Sequence, residues 1–199
     1  MRRLQQTLEA IDAANADDPN VIEVRGARRP KELAHAEMAS EWVEKLVPEA
    51  SAALRLAARA HHIRRWEIPR SDYPEGRAGY HRWRRDLQKH HAEHVGRILG
   101  EQGWDEDTIS RVQAIVRKQG LGKDPEVQAF EDALCLVFLE TQLGELGERL
   151  GDEKLVEVTR KTAAKMSGAG VARVRELPLS EHERALIERA LRPEEEPPK

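Results

Sequence analysis

Apolar residues recur at three- and four-residue steps along most of the chain, the spacing that lines one face of an α-helix. Leu4, Leu8 and Ile11 set a first helix over Arg3–Ala14, and the breaker Asp17-Asp18-Pro19-Asn20 ends it. Val21 to Gly26 is expected to be briefly extended. Pro30 suits the first position of a second helix through Val47, and Pro48 likewise opens a third through Trp66. Glu67 to Arg77 is expected as a loop, followed by helices over Ala78–Glu101 and Asp105–Gln119, with Gly120 as the stop. A sixth helix opens at Asp124-Pro125 and is apolar on nearly every side from Ala133 to Leu139, which predicts that the segment Glu131 to Leu143 lies at the centre of the fold. Satellite helices begin near Glu153 and at Ser180, where Ser180 and Glu183 stand at capping-box spacing. The pattern predicts an all-α protein of seven or eight helices, a single helical domain over residues 1–192 with a disordered acidic, Pro-rich tail, Pro193–Lys199.

Composition supports that picture. Ala and Leu outnumber Val, Ile and Thr by 45 to 26, which favours helix over sheet. No glycine-rich phosphate loop and no strand–helix alternation is present, so nucleotide folds built on parallel sheets are not expected. A single cysteine, Cys135, excludes an intrachain disulfide and a thiolate zinc cluster. The longest apolar run, Ala133–Leu139, stops at Glu140, far short of the roughly 20 residues that span a bilayer. The N-terminus has a basic start without the continuous apolar core of a signal peptide, so the expected address is cytoplasmic.

A net charge of -3 argues against general attraction to nucleic acid. The distribution is uneven, however. From Arg59 to Lys89 nine basic residues face four acidic ones, a local excess that suits a small anion. The plainer reading of this stretch is a solvated helix face with internal ion pairs.

Histidine carries the strongest chemical signal. His35 shares a predicted face with Met38, Ala39, Trp42 and Leu46; His61, with His62 beside it, shares one with Leu54, Ala57 and Ala58; His91 and His94 share one with Leu87, Val95 and Ile98. A lone inward histidine is usually a satisfied core residue, but several together suit a metal ion. Glu131 and Asp132 begin the most buried helix, with Asp132 assigned to the face of Cys135, Leu136, Leu139 and Leu143. A buried carboxylate there should be paired, capping a helix or bound to metal. Two other motifs are weaker. His90-His-Ala-Glu93-His94 matches an inverted zinc-protease motif but would turn the site away from His91, and Glu32-Leu-Ala-His35 is only one of the two Glu-x-x-His motifs a di-iron bundle needs.

Taken in order, His35, the pair His61-His62, His91 and the late Asp132 resemble the pattern of the HD-domain superfamily of metal-dependent phosphohydrolases. His91-Ala-Glu-His-Val-Gly-Arg-Ile-Leu looks like that superfamily's intermediate helix, and the resemblance spans roughly residues 31–145. Segments such as His62-Ile-Arg-Arg-Trp-Glu-Ile-Pro-Arg and Gly120-Leu-Gly-Lys-Asp-Pro-Glu-Val-Gln also look like a family catalogued only as a domain of unknown function. The resemblance implies an HD-like bundle in which His35, His61, His62 and Asp132 hold a metal, with His91, Glu131 and Lys118 as outer residues.

One position departs from the pattern: His62 stands where the superfamily has Asp. Three imidazoles and one carboxylate leave a divalent ion near +1, which favours a single transition metal (iron, manganese, zinc, nickel or cobalt) and an anionic ligand. The expected reaction is hydrolysis of a small phosphorylated, nucleotide-like substrate. Arg64 and Arg65 would clamp its phosphate and Glu67 would orient the water. The alternative is a non-catalytic metal-binding or nucleotide/RNA-binding helical module on the same scaffold, using Trp66, Tyr80 and Trp83 among the basic residues.

Overall fold

The computed structural model describes residues 2–192, and the expected tail Pro193–Lys199 lies outside them. In chain order the elements are α1 (Arg2–Ala16), β1 (Val21–Val24), β2 (Ala27–Pro30), α2 (Lys31–Leu46), α3 (Ala52–Ala60), α4 (Gly76–Glu101), α5 (Glu106–Val116), α6 (Pro125–Leu150), α7 (Asp152–Ala163), α8 (Gly168–Arg173) and α9 (Glu181–Leu191). The described part of the chain is therefore all-α, with one small hairpin. No helix among the described residues is long and apolar enough to cross a membrane.

Short polar side chains fix most helix starts by accepting backbone N–H groups that have no partner within the helix. Ser51 accepts from Leu54 at α3, Asp105 from Thr108 at α5, and Ser167 from Gly170 at α8. At α6, Asp124 accepts from Glu126 and Val127 with Pro125 in the first turn, and at α9 Ser180 and Glu183 complete the capping box. The extended stretch at Val21 is one arm of an antiparallel hairpin in which Val24 opposes Ala27. Its two-residue turn, Arg25-Gly26, has φ of 52° and 76°, the positive pair that a type I′ connection requires.

α6 lies against α2, α3, α5, α7 and α8, with Leu136 and Leu139 fully buried. The central position expected for this helix is the observed one. α2 is likewise enclosed, between α1, α3 and α6. A buried carboxylate on either helix is therefore surrounded by protein.

Three expected boundaries move. The third helix opens at Ala52 rather than at Pro48, because Ser51 accepts the Leu54 N–H and caps it there. The third helix does not continue to Trp66; α3 stops at Ala60, and a turn leads into a short 3-10 segment, Arg65–Glu67. The cause is Arg64, held in the left-handed region at φ 51°, which no α-helix accommodates. Its N–H donates to Asn15 Oδ1 at 3.4 Å and its carbonyl receives His90 Nε2 at 3.1 Å, so α1 and α4 fix the turn from both sides. The fifth helix ends at Val116 rather than Gln119, because Lys118 adopts φ 57° and turns the chain towards α6. The short α8 was not foreseen; it brings the described helices to nine, beyond the seven or eight expected.

Candidate metal centre

The site begins with the breaker after α1. Asp18 accepts the N–H of Glu32 on Oδ2 at 2.9 Å and that of Asn20 on Oδ1 at 2.9 Å, which anchors the first turn of α2. Glu32 is thereby set inside the protein at 5% exposure, and His35 follows one turn later at 2%. The turn after α3 delivers His62 against them: Glu32 Oε2 lies 3.2 Å from His62 Nδ1 and 3.7 Å from His35 Nδ1. Glu32, His35 and His62 each offer a ligand atom within 4.8 Å of the others. Arg65 completes the group, with its guanidinium 3.2 Å from His62 Nε2 and 3.9 Å from Glu32 Oε1.

Charge states follow from this enclosure. Burial acts to raise the Glu32 carboxyl, but hydrogen bonding from the adjoining His62 and His35 rings outweighs it and holds the group well below the usual carboxylate range. Burial, together with His61 and Arg65, holds His62 well below its ordinary value. An ionised carboxylate beside a neutral imidazole is the protonation state that metal ligation requires.

A second rank of imidazoles stands behind the first. The His61 and His62 rings are 4.3 Å apart, and the His62 and His91 rings 5.7 Å apart, centroid to centroid. His61 Nδ1 pairs with the Ala58 carbonyl at 2.9 Å and His91 Nδ1 with the Ile63 carbonyl at 2.8 Å. Both carbonyls can only accept, so each Nδ1 carries the proton and each Nε2 keeps its lone pair. Burial depresses His61 to about 4 and His91 to about 3, and both are neutral at pH 7. The Nε2 atoms of His35 and His91 are buried with no hydrogen-bond partner among the described residues. Unpaired buried nitrogens are costly in a dry core, and an ion can satisfy them. Two imidazoles and a carboxylate are a suitable donor set for a divalent transition metal.

Part of this group lines a cleft of about 550 Å³ bounded by α2, the turn after α3, α4, α6 and α7. His35, His61 and His62 are on its wall, with Arg65, Arg84, Lys118, Arg149, Lys161 and Lys165 supplying positive charge and Tyr80, Trp83 and Phe138 supplying rings. Glu131 faces the cleft and is ion-paired with Lys118.

The expected site residues divide accordingly. His35 and His62 meet, while His61 and Asp132 are outside the three-residue cluster. Asp132 projects from a different side of α6 than Glu131, towards α8. Its Oδ1 accepts the N–H of Ser167 at 2.8 Å and an N–H of Gln128 at 3.0 Å, and its Oδ2 accepts the Ser167 hydroxyl at 2.5 Å. The late carboxylate is thus occupied in fastening the N-cap of α8, and Glu32, seen in the sequence only as part of a Glu-x-x-His motif, is the carboxylate beside the imidazoles. Arg64 turns the other way, towards Asp17 at 3.5 Å and Glu67 at 3.0 Å, so Arg65 alone of that pair faces the cleft. Glu67 stands with His90 and His94 instead of with the cleft histidines.

Two outcomes follow. Replacing Asp132 with Ala leaves the part-buried N–H and hydroxyl donors of Ser167 without their partner and should lower stability by about 1–2 kcal/mol in a denaturant titration while metal uptake is retained. Metal loss in that variant, with the fold intact, would return Asp132 to the ligand set. The second outcome concerns pH. An unfolded chain protonates His61 and His91 near 6.5, whereas the fold resists protonation down to about 4 and about 3. Between these values the unfolded state binds more protons, so stability of the metal-free protein should fall as pH drops below about 6.5, by up to about 1.4 kcal/mol per pH unit for each group. His91→Gln should make the fall shallower by one proton; an unchanged slope would mean that His91 does not titrate as its burial dictates.

No curated protein and no solved structure matches the chain. A family model does match, and it carries no statement about the HD-domain superfamily. It is described as Domain of unknown function (DUF4202) and matches residues 5–187, from the first turn of α1 into α9, so the chain belongs to that family.

Proposed function

We propose that the protein is a metal-dependent phosphohydrolase acting on a small phosphorylated, nucleotide-like substrate, on the HD-like scaffold that the sequence resembles. The observation that carries this reading is the junction of two features: His35 and His62, which meet the buried Glu32, lie on the wall of a cleft whose remaining polar lining is mainly cationic. A transition ion held by the cluster would supply Lewis acidity and, at neutral pH, hydroxide from bound water.

The chain's own groups divide the remaining work. Arg65, against the cluster, and Arg84 and Lys118 across the cleft are placed to hold phosphate oxygens by charge-assisted hydrogen bonds. Arg65 also lies over the Trp83 ring, 4.9 Å from its centroid, which limits the freedom of its guanidinium. Tyr80 and Trp83 offer faces on which a base or other flat group would stack. Glu131 aims Lys118 through their ion pair and is the cleft carboxylate in position to orient a water, the task expected of Glu67.

The test is to purify the protein without a histidine tag, measure its metal, and assay phosphate release from a panel of nucleotides and phosphoesters. His35→Ala and His62→Ala should each remove the metal equivalent held at this cluster and abolish turnover with it. Arg65→Ala should keep the metal and lower kcat/KM by about 30-fold to 1000-fold, the loss of roughly 2–4 kcal/mol of phosphoryl charge stabilisation. Metal-loaded protein that binds nucleotide without releasing phosphate would instead support the second reading, a binding module that uses the same cleft.

A further inference from the structure

A second group of ligating side chains lies on the other side of the turn that presents Arg65. His90 and His94 are one helical turn apart on α4, with ring centroids separated by 4.3 Å. Glu67, the last residue of the 3-10 segment after α3, points between them: its Oε2 lies 3.5 Å from His90 Nε2 and 3.6 Å from His94 Nε2. Two ligands on a tetrahedral ion with bonds of about 2.0–2.1 Å stand about 3.3–3.4 Å apart. Both measured separations are within a few tenths of an ångström of that value, and all three ligand atoms fall within 4.8 Å of one another. Glu93, the acid of the apparent His-x-x-Glu-His motif, is not part of the group; it stands with Lys89.

We propose that Glu67, His90 and His94 form a second site for a divalent transition ion such as Zn²⁺, with three protein ligands and an open fourth position, which fastens the Arg64–Glu67 turn to α4. The carboxylate is already divided for this role. Oε1 is held by Arg64 at 3.0 Å, leaving Oε2 facing the imidazoles. A ligating carboxylate steadied on its other oxygen by a hydrogen bond is the usual outer-shell arrangement. Glu67 is about one-third exposed and the two histidines are 14% and 18% exposed, so an ion reaches the group from solvent and a water can complete its coordination.

Two existing contacts must give way. His90 Nε2 now pairs with the Arg64 carbonyl at 3.1 Å, and ligation moves its proton to Nδ1. His94 Nε2 accepts from Arg97 at 2.9 Å, and that guanidinium must rotate outward. Both are side-chain contacts, and the ion, bound by Glu67 and His90, would take over from the His90 contact as the tie between the turn and α4. The consequence reaches the cleft, because the fastened turn runs directly from His62 through Arg65. An ion at the second site would hold Arg65 in its position beside His62 and Trp83.

The proposal is independent of the Glu32, His35 and His62 site, and the test keeps the two apart. Metal-free wild type and a His35→Ala/His62→Ala variant are each titrated with Co²⁺, following ligand-field absorption and stoichiometry. Wild type should take up two equivalents and the double variant one. His94→Ala and Glu67→Gln, made singly in wild type on a partly exposed face, should each weaken the binding of one equivalent by about 100-fold or more and leave the other unchanged. Unaltered stoichiometry and affinity in both single variants would overturn the second site, whatever the double variant does. Complete loss of Co²⁺ binding in a folded double variant would overturn it as well. Failure of the first site reads differently: one equivalent in wild type that is insensitive to His35→Ala and lost with His94→Ala.

Discussion

A carboxylate sealed in a helical core must be compensated, and much of this structure can be understood as the compensation of Glu32. Its charge lies in the first turn of α2, where the helix dipole favours an anion. Asp18 secures the backbone at that turn, and His35, His62 and Arg65 close around the side chain. Bringing His62 and Arg65 to it requires α3 to end early and the chain to reverse at Arg64. The left-handed conformation there, unfavourable for arginine by roughly 1–2 kcal/mol, is maintained by contacts from Asn15 and His90. The break in the helix, the strained residue and the buried charge are thus one feature.

Helical architecture was legible in the sequence because capping chemistry and three-to-four periodicity agree. Asp124-Pro125 and Ser180 with Glu183 stand at the starts of the helices they predict. The helix ends that moved are those set by non-glycine residues at positive φ, Arg64 and Lys118, for which sequence offers no cue, while the start of α3 moved because Ser51 and not Pro48 marks it. Apolar spacing continues through Ile63 to Trp66 although the helix does not. α8 escaped notice for a related reason: six residues, two of them glycine, give no amphipathic signal, and its start depends on Ser167 fastened by the distant Asp132.

The site was partly legible. His35 and His62 could be found from their inward faces, and a cationic stretch around Arg65 and Arg84 from charge counting. The carboxylate could not be assigned, because α6 is buried on most sides and periodicity cannot say which neighbour a given face meets. Glu131 and Asp132 differ by about 100° around the helix; one meets the cleft and Lys118, the other meets α8. Glu32 carried a weak signal as the acid of a Glu-x-x-His turn, overshadowed by the expectation of a late aspartate. Arg64 and Arg65 are likewise adjacent in sequence and opposed in space.

The proposed chemistry requires Glu32 to be the carboxylate ligand of a metal shared with His35 and His62. Crystals of the tag-free protein grown with Zn²⁺ or Co²⁺ and measured on both sides of the metal absorption edge test this directly. An anomalous peak about 2.0–2.2 Å from a Glu32 oxygen and from nitrogens of His35 and His62 is the predicted result. A peak coordinated by Asp132, or metal absent from this cluster in crystals that retain the ion elsewhere, would contradict it.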